Sequence, residues 1–311
     1  MLALKLACEI SLLVFLGFFL GKKKLFPDNF EASLSKFIIN VSLPCLIVVS
    51  LNKPFDPSEL SGLATLMIMS LAMTCAFFVL GQIGYTLVGG GSSGRLVRFG
   101  TTFCNYTYFG MPVMEALYGS NGLFLYNIFS VPIRVVIYFF ASVNFSGSNE
   151  RKSFREILRL LITAPTAAVV IGMVLYLCNI TLPDFLKEVM DSVGSTSSPL
   201  GMILCGLSLS HIEIKNIFKF PKAFVIVLLR CIIAPVLTFG VLYFTNIDTE
   251  YIKIAVVYAA LPMAAMTTSY IIEYEKNEYA VRESAVALLV STLVSIVTLP
   301  LFTFILDKVF A

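Results

Sequence analysis

Few residues in this chain are equipped for chemistry, and most of them lie where a plain membrane helix would not put them. The apolar stretch from Arg95 to Gly119, RLVRFGTTFCNYTYFGMPVMEALYG, carries Thr101, Thr102, Asn105 and Thr107 at its middle, followed by Gly110 and Pro112. A second stretch, AVVYAALPMAAMTTSYIIEY, has Pro262 and Met263 at its middle, then Thr267, Thr268 and Ser269. Proline lacks an amide donor, and its ring clashes with the preceding turn. In hydrocarbon each freed backbone group costs several kcal/mol unless something satisfies it. Such breaks are tolerated where they line a protein cavity, and midplane transport sites are built that way.

The chemistry on offer is binding and not bond-making. A broken helix presents the N-terminus of its second half near the midplane, with unpaired N–H donors and roughly half a positive charge. Two such tips meeting make a site for an anion such as a carboxylate. Pro112 suits the first turn of a half-helix, where its missing donor costs nothing. Asn105 offers donors and acceptors to the opened stretch, and Thr107, Thr267, Thr268 and Ser269 extend the polar lining. Arg134 and Arg230 fall near mid-span, where a charge costs about 2.5–3.5 kcal/mol on insertion scales. Arg134 admits two readings, a bidentate clamp on a substrate carboxylate or an ion pair with Glu115. Arg230 reads as a residue that snorkels to the rim. Glu115, beyond the first break, is the candidate for a coupling proton. Unwound carbonyls at the two breaks also leave room for Na⁺.

Nothing else in the sequence is a reaction centre. His211 is the single histidine, and Cys8, Cys45, Cys75, Cys104, Cys178, Cys205 and Cys231 are scattered through apolar segments without a CxxC pair. No metal site and no cofactor are expected. There is no His-Glu-x-x-His pair and no aspartate-rich run, so an intramembrane enzyme is disfavoured. No phosphate-binding glycine loop is present, so energy must come from gradients or from the substrate.

The elements that position these residues follow from composition. The 311 residues are 58% hydrophobic and 13% charged, about half the charge of a soluble domain. The reading is an all-α polytopic membrane protein. Ten stretches reach spanning length: 4–20, 34–51, 62–88, 96–118, 121–144, 156–178, 195–211, 222–245, 252–273 and 281–306. The connections between them are short. Basic residues alternate. Lys22, Lys23, Lys24 and Lys36 flank the first connection, Arg95 and Arg98 close the third, and Arg151, Lys152, Arg155 and Arg159 fill the fifth. Lys215, Lys219 and Lys222 mark the seventh, Lys276 and Arg282 the ninth, while the even connections hold only Lys53, Lys187 and Lys253. Positive loops stay cytoplasmic, which places both termini outside a plasma (inner) membrane. Five spans per half make the halves inverted relative to each other, a common transporter plan. The division is 1–144 for the first five-helix repeat, 145–155 for a cytoplasmic linker and 156–311 for the second repeat.

The run Asn105-Tyr-Thr-Tyr-Phe-Gly110-Met-Pro112, closing on Leu117-Tyr118-Gly119, resembles the crossover helix of the auxin efflux carrier family, which includes plant PIN-type exporters and bacterial malate or malonate permeases. Leu229-Arg230 with Ala234-Pro235 resembles its eighth span, Ala260-Leu261-Pro262 with Glu273-Tyr274 its ninth, and Ser291-Thr292-Leu293 with Leu299-Pro300 its tenth. Leu43-Pro44 and the run from Gly17 to Lys24 match as well. The resemblance implies two inverted five-helix repeats with crossed, broken helices 4 and 9. It also implies a scaffold of spans 1, 2, 6 and 7, a transport bundle of spans 3–5 and 8–10, and a homodimer through the scaffold. Cys104 stands where the plant exporters carry a proline.

The expected function is secondary transport of a small organic anion, a dicarboxylate or an auxin-like acid, by alternating access. The alternatives are a sodium-coupled carboxylate or bile-acid-type symporter of the same fold and a non-transporting membrane sensor. The expected partners are the substrate anion and the lipid bilayer, with no nucleic acid.

Overall fold

The computed structural model describes residues 2–27, 29–145, 156, 162–210, 214–275 and 277–310. Arg151, Lys152, Arg155 and Arg159, the 145–155 linker beyond Phe145, His211 and Lys276 lie outside the described residues.

Helix falls within each of the ten predicted stretches, and the fourth and ninth are broken. In chain order the helices are α1 (Leu2–Lys22), α2 (Phe30–Leu51), α3 (Pro57–Leu87), α4 (Gly91–Thr102), α5 (Tyr106–Phe145) and α6 (Ala164–Leu177). They continue as α7 (Asp184–Gly194), α8 (Ser197–Ser210), α9 (Ala223–Tyr243), α10 (Thr249–Ala260), α11 (Met266–Tyr270) and α12 (Glu278–Val309). Among the described residues, α2, α3, α5, α9 and α12 are long and apolar enough on their own to cross a membrane. The fourth span is α4 plus the first part of α5, the ninth α10 plus α11.

Prolines explain most of the irregular turns. The wide, i→i+5-bonded turns Ile38–Ser42, Tyr106–Gly110 and Leu228–Ile233 each end two residues before a proline, at Pro44, Pro112 and Pro235. A proline cannot bond the carbonyl four residues back and pushes it away, so the turn ahead opens by one residue. Pro112 therefore sits one turn inside its half-helix, not in the first turn as its type suggested. Within α5 the chain bends at Gly119, where φ is 62° and ψ is −160°. Only glycine adopts that backbone freely, and the bend separates the fourth span (106–118) from the fifth (120–145).

The connection between the sixth and seventh predicted stretches contains a helix of its own, α7. Its 11 residues are too few to span, at about 1.5 Å each. Phe185 and Val189 lie exposed on one face while Gly194 packs against α2.

Close helix packing rests on small residues. A Cβ at Gly17 would lie 2.1 Å from the Ile203 carbonyl oxygen, and one at Gly206 would lie 2.0 Å from that of Val14. The Gly17-x-x-x-Gly21 stripe of α1 thus lets α8 approach to backbone contact, the usual device where lipid removes the hydrophobic drive between helices. Elsewhere α2 packs along α6, α3 along α4 and α5, and α9 along α10 and α12. The core is aromatic at the crossing, with Tyr126, Tyr258, Phe99, Phe103, Phe109 and Phe129 fully buried.

Candidate functional site

The two breaks satisfy each other. After α4 ends at Thr102 the chain extends through Phe103, and after α10 ends at Ala260 it extends through Leu261. The extended pieces run antiparallel, joined as an isolated bridge between Cys104 and Met263. The Asn105 amide donates to the Pro262 carbonyl at 2.8 Å, and the Ala264 amide to the Phe103 carbonyl at 3.1 Å. Backbone groups left over where the helices stop are paired here, which removes the penalty of leaving them bare in a low-dielectric interior.

The carbonyls at the ends of α4 and α10 find a different partner. Arg230, from the wide turn of α9, is 0% exposed. Its Nη2 donates to the Tyr258 carbonyl at 2.8 Å, its Nε to that of Leu261 at 3.3 Å and its Nη1 to that of Thr101 at 3.3 Å. The rings of Phe77 and Tyr258 cover the guanidinium at 4.9 and 5.2 Å. The snorkelling reading of Arg230 is therefore corrected: it turns inward because two helix C-termini, each carrying roughly half a negative charge, converge on it.

The starts of the second halves face open space. A cavity of about 780 Å³ extends from the breaks toward the end of the bundle where α2 begins and α8 finishes. Asn105, Thr107 and Arg134 line it, as do Ala264, Ala265, Met266 and Ser269. Asn105 caps the first half-helix, its Oδ1 accepting from the Tyr108 amide at 3.2 Å. Its Nδ2 has no partner among the described residues. The Tyr126 hydroxyl donates to the Tyr106 carbonyl at 2.9 Å and pins the same turn from behind. The start of α11 at Ala265 has no side-chain cap. The opposite wall comes from α2, α6 and α8, including Glu31, Ser35, Thr166 and Ser208, with the Ser208 hydroxyl donating to the Glu31 carboxylate.

Arg134 is the centre of this cavity chemically. It is 4% exposed, its guanidinium lies over the Tyr106 ring at 5.3 Å, and its Nε and Nη2 are buried without hydrogen-bond partners. Glu115 does not serve it: the Oε2 of Glu115 is itself buried without a partner, and no ion pair joins the two. Of the two readings the sequence left open, the ion pair is not formed. A guanidinium edge with two parallel N–H groups matches a carboxylate bidentately.

Other predicted residues lie behind the cavity wall. Pro262 and Met263 belong to the bridge through their backbones, and Met263 packs on Gly100. Gly110 lets Tyr126 and Leu261 approach, and Pro112 is buried near Gly201. The Thr267 hydroxyl donates to the Ala264 carbonyl at 2.6 Å and is fully buried, while the Thr268 hydroxyl is buried without a partner. Glu115 is half-buried away from the lining. Sequence reasoning missed Tyr106, Tyr138, Thr292 and the Glu31–Ser208 pair on the cavity wall. Tyr106 alone had a signal, its place beside Asn105.

A family model described as membrane transport protein matches residues 3–303. A similar protein is an uncharacterized transporter of Methanothermobacter thermautotrophicus, 24% identical over 303 residues that cover 96% of both chains. Another, from Methanocaldococcus jannaschii, is 20% identical over 318 residues, covering 98% of this chain and 99% of the relative. The uncharacterized transporter YfdV of Escherichia coli is 22% identical over 311 residues, covering 95% of each.

Proposed function

The chain belongs to the membrane transport protein family that holds the auxin efflux carriers, and from that premise we propose that it is a secondary transporter of small organic anions. It is an integral membrane protein and a transporter by family. The observation that carries the anion reading is Arg134, a buried cation with two open donors on the wall of a cavity of about 780 Å³. A charge left unpaired in a low-dielectric interior is costly, and a carboxylate guest removes that cost. The capped tip at Asn105 and the uncapped tip at Ala265 add oriented N–H dipoles to the same space.

In this reading α1, α2, α6 and α8 form the scaffold and α3–α5 with α9–α12 the moving bundle. The packing of α1 on α8 and α2 on α6 supports that division, and the cavity lies between the two sets. The halves 1–144 and 156–311 are inverted repeats, supported by breaks at corresponding places that pair antiparallel. The cavity opens to the lysine-rich end, taken as the cytoplasm of a plasma membrane, with both termini outside. Asn105, Thr107 and Arg134 hold the anion, while Gly110, Pro112, Pro262, Met263, Thr267 and Thr268 shape the breaks. Glu115, with its buried Oε2 free, is the site for a coupling proton. A homodimer forms through the scaffold.

The test is a thermal-shift screen of the purified protein against mono- and dicarboxylates beside their neutral amides. A ligand that binds the folded state raises the unfolding midpoint with its occupancy. At least one acid is expected to stabilise the wild type while its amide does not. If every acid leaves the midpoint where its amide leaves it, the anion reading fails.

A further inference from the structure

Arg230 and the ends of α4 and α10 form a second charged site, which the anion cavity does not use. A helix that stops inside the membrane leaves its last carbonyls unbonded, and its C-terminus carries roughly half a negative charge. Two such ends meet here and sum to about one negative charge. Discontinuous transporter helices hand carbonyls of this kind to a coupling cation, Na⁺ or H⁺. In this chain the position is filled from within. The three carbonyls bound by Arg230 come from both broken spans, Thr101 from one and Tyr258 and Leu261 from the other.

We propose that Arg230 is a tethered counter-cation that takes the place of a coupling sodium ion at the crossing and makes this transporter independent of Na⁺. The charge balance supports it. One guanidinium neutralises the two helix ends, and a second cation entering beside it would have no countercharge and would meet like-charge repulsion at short range. The covering rings of Phe77 and Tyr258 favour a delocalised cation in that slot. The site also retains oxygen atoms that a small cation would recruit if the side chain were shortened. These are the three carbonyl oxygens that Arg230 now binds, and the Thr101 hydroxyl on the same helix end is buried without a partner. A purely space-filling role would be met by an apolar side chain of similar length, whereas the tethered cation requires charge.

The experiment uses purified full-length protein, with unfolding midpoints read in NaCl and in choline chloride at equal ionic strength, and with millimolar guanidinium as a further addition. No anionic substrate enters it, so its failure leaves the anion reading untouched. The wild type is expected to unfold within about 1 °C in Na⁺ and choline, since a ligand with no site gives no shift. Arg230→Ala is expected to fall by roughly 10 °C in choline and to regain at least half of that in Na⁺ or guanidinium. Arg230→Met should fall as far as Arg230→Ala, and Arg230→Lys clearly less. The proposal is overturned if Na⁺ stabilises the wild type, if no small cation rescues Arg230→Ala, or if Arg230→Met is as stable as the wild type. Should Arg230→Ala fail to fold, the wild-type arm and the contrast between the Lys and Met variants still decide the matter.

Discussion

Arg230 and Arg134 are both arginines buried near mid-span, yet they sit at opposite poles of the same broken helices. Arg230 faces the C-terminal ends of the first halves, where carbonyls converge, and its three hydrogen bonds to carbonyls and two ring contacts leave it fully enclosed. Arg134 faces the cavity beside the N-terminal tip at Asn105, the donor end of a half-helix, and two of its nitrogens stay open. The dipole of a helix decides the difference. A cation at the negative pole is neutralised by the fold itself. A cation beside the positive pole is neutralised only by a guest.

The contrast can be broken by mutation. The largest effect is expected at Arg134→Ala. Truncating one partner of a desolvated charge pair costs about 2–5 kcal/mol, so affinity for the best carboxylate should fall by about 100-fold in calorimetric titration. Without ligand, the same variant should unfold no earlier than the wild type, because an unpaired buried charge has been removed. A ligand-free midpoint as low as that expected for Arg230→Ala would erase the distinction between the two sites.

Gly110→Ala comes next. A Cβ there would lie 2.1 Å from the Tyr126 hydroxyl oxygen, which pins the Tyr106 carbonyl. Overpacking of this kind costs about 1–3 kcal/mol, visible as a lower unfolding midpoint and a weakened anion response, with any response at the Arg230 pole unchanged. Asn105→Ala removes a helix cap worth about 1 kcal/mol together with a polar group at the cavity. The protein should still reach the membrane, while carboxylate affinity falls roughly tenfold; wild-type uptake in reconstituted vesicles would take Asn105 out of the site. The smallest change is expected at Thr292→Val. Its hydroxyl lines the cavity but already donates to the Leu288 carbonyl at 2.7 Å, so affinity should move less than about twofold. A larger loss would mean that the ligand reaches across to α12.

Much of this was legible in the sequence because broken helices have local causes. The placement of Thr, Asn, Gly and Pro in apolar runs located both breaks, and the apolar runs located the helices around them. Asn105 read correctly as a residue of the opened stretch because capping is a local act. Arg230 was misread because its partners are carbonyls 28, 31 and 129 residues away in the chain, and a backbone oxygen leaves no trace in residue type. Thr267 was misread for the opposite reason. Its hydroxyl found a partner three residues back, and no pattern in a short polar run tells a spent hydroxyl from an open one. The wall supplied by Glu31 and Ser208 depends on α2 and α8 meeting across 177 residues, which local spacing does not reveal.

The most direct measurement is the density of a bound acid, taken as the strongest hit of the carboxylate screen, in the purified transporter. A carboxylate gripped by the open edge of Arg134 should appear with its oxygens about 3 Å from Nε and Nη2, beside Asn105 and the start of α11. An acid bound elsewhere, with Arg134 turned onto Glu115, would contradict the central claim.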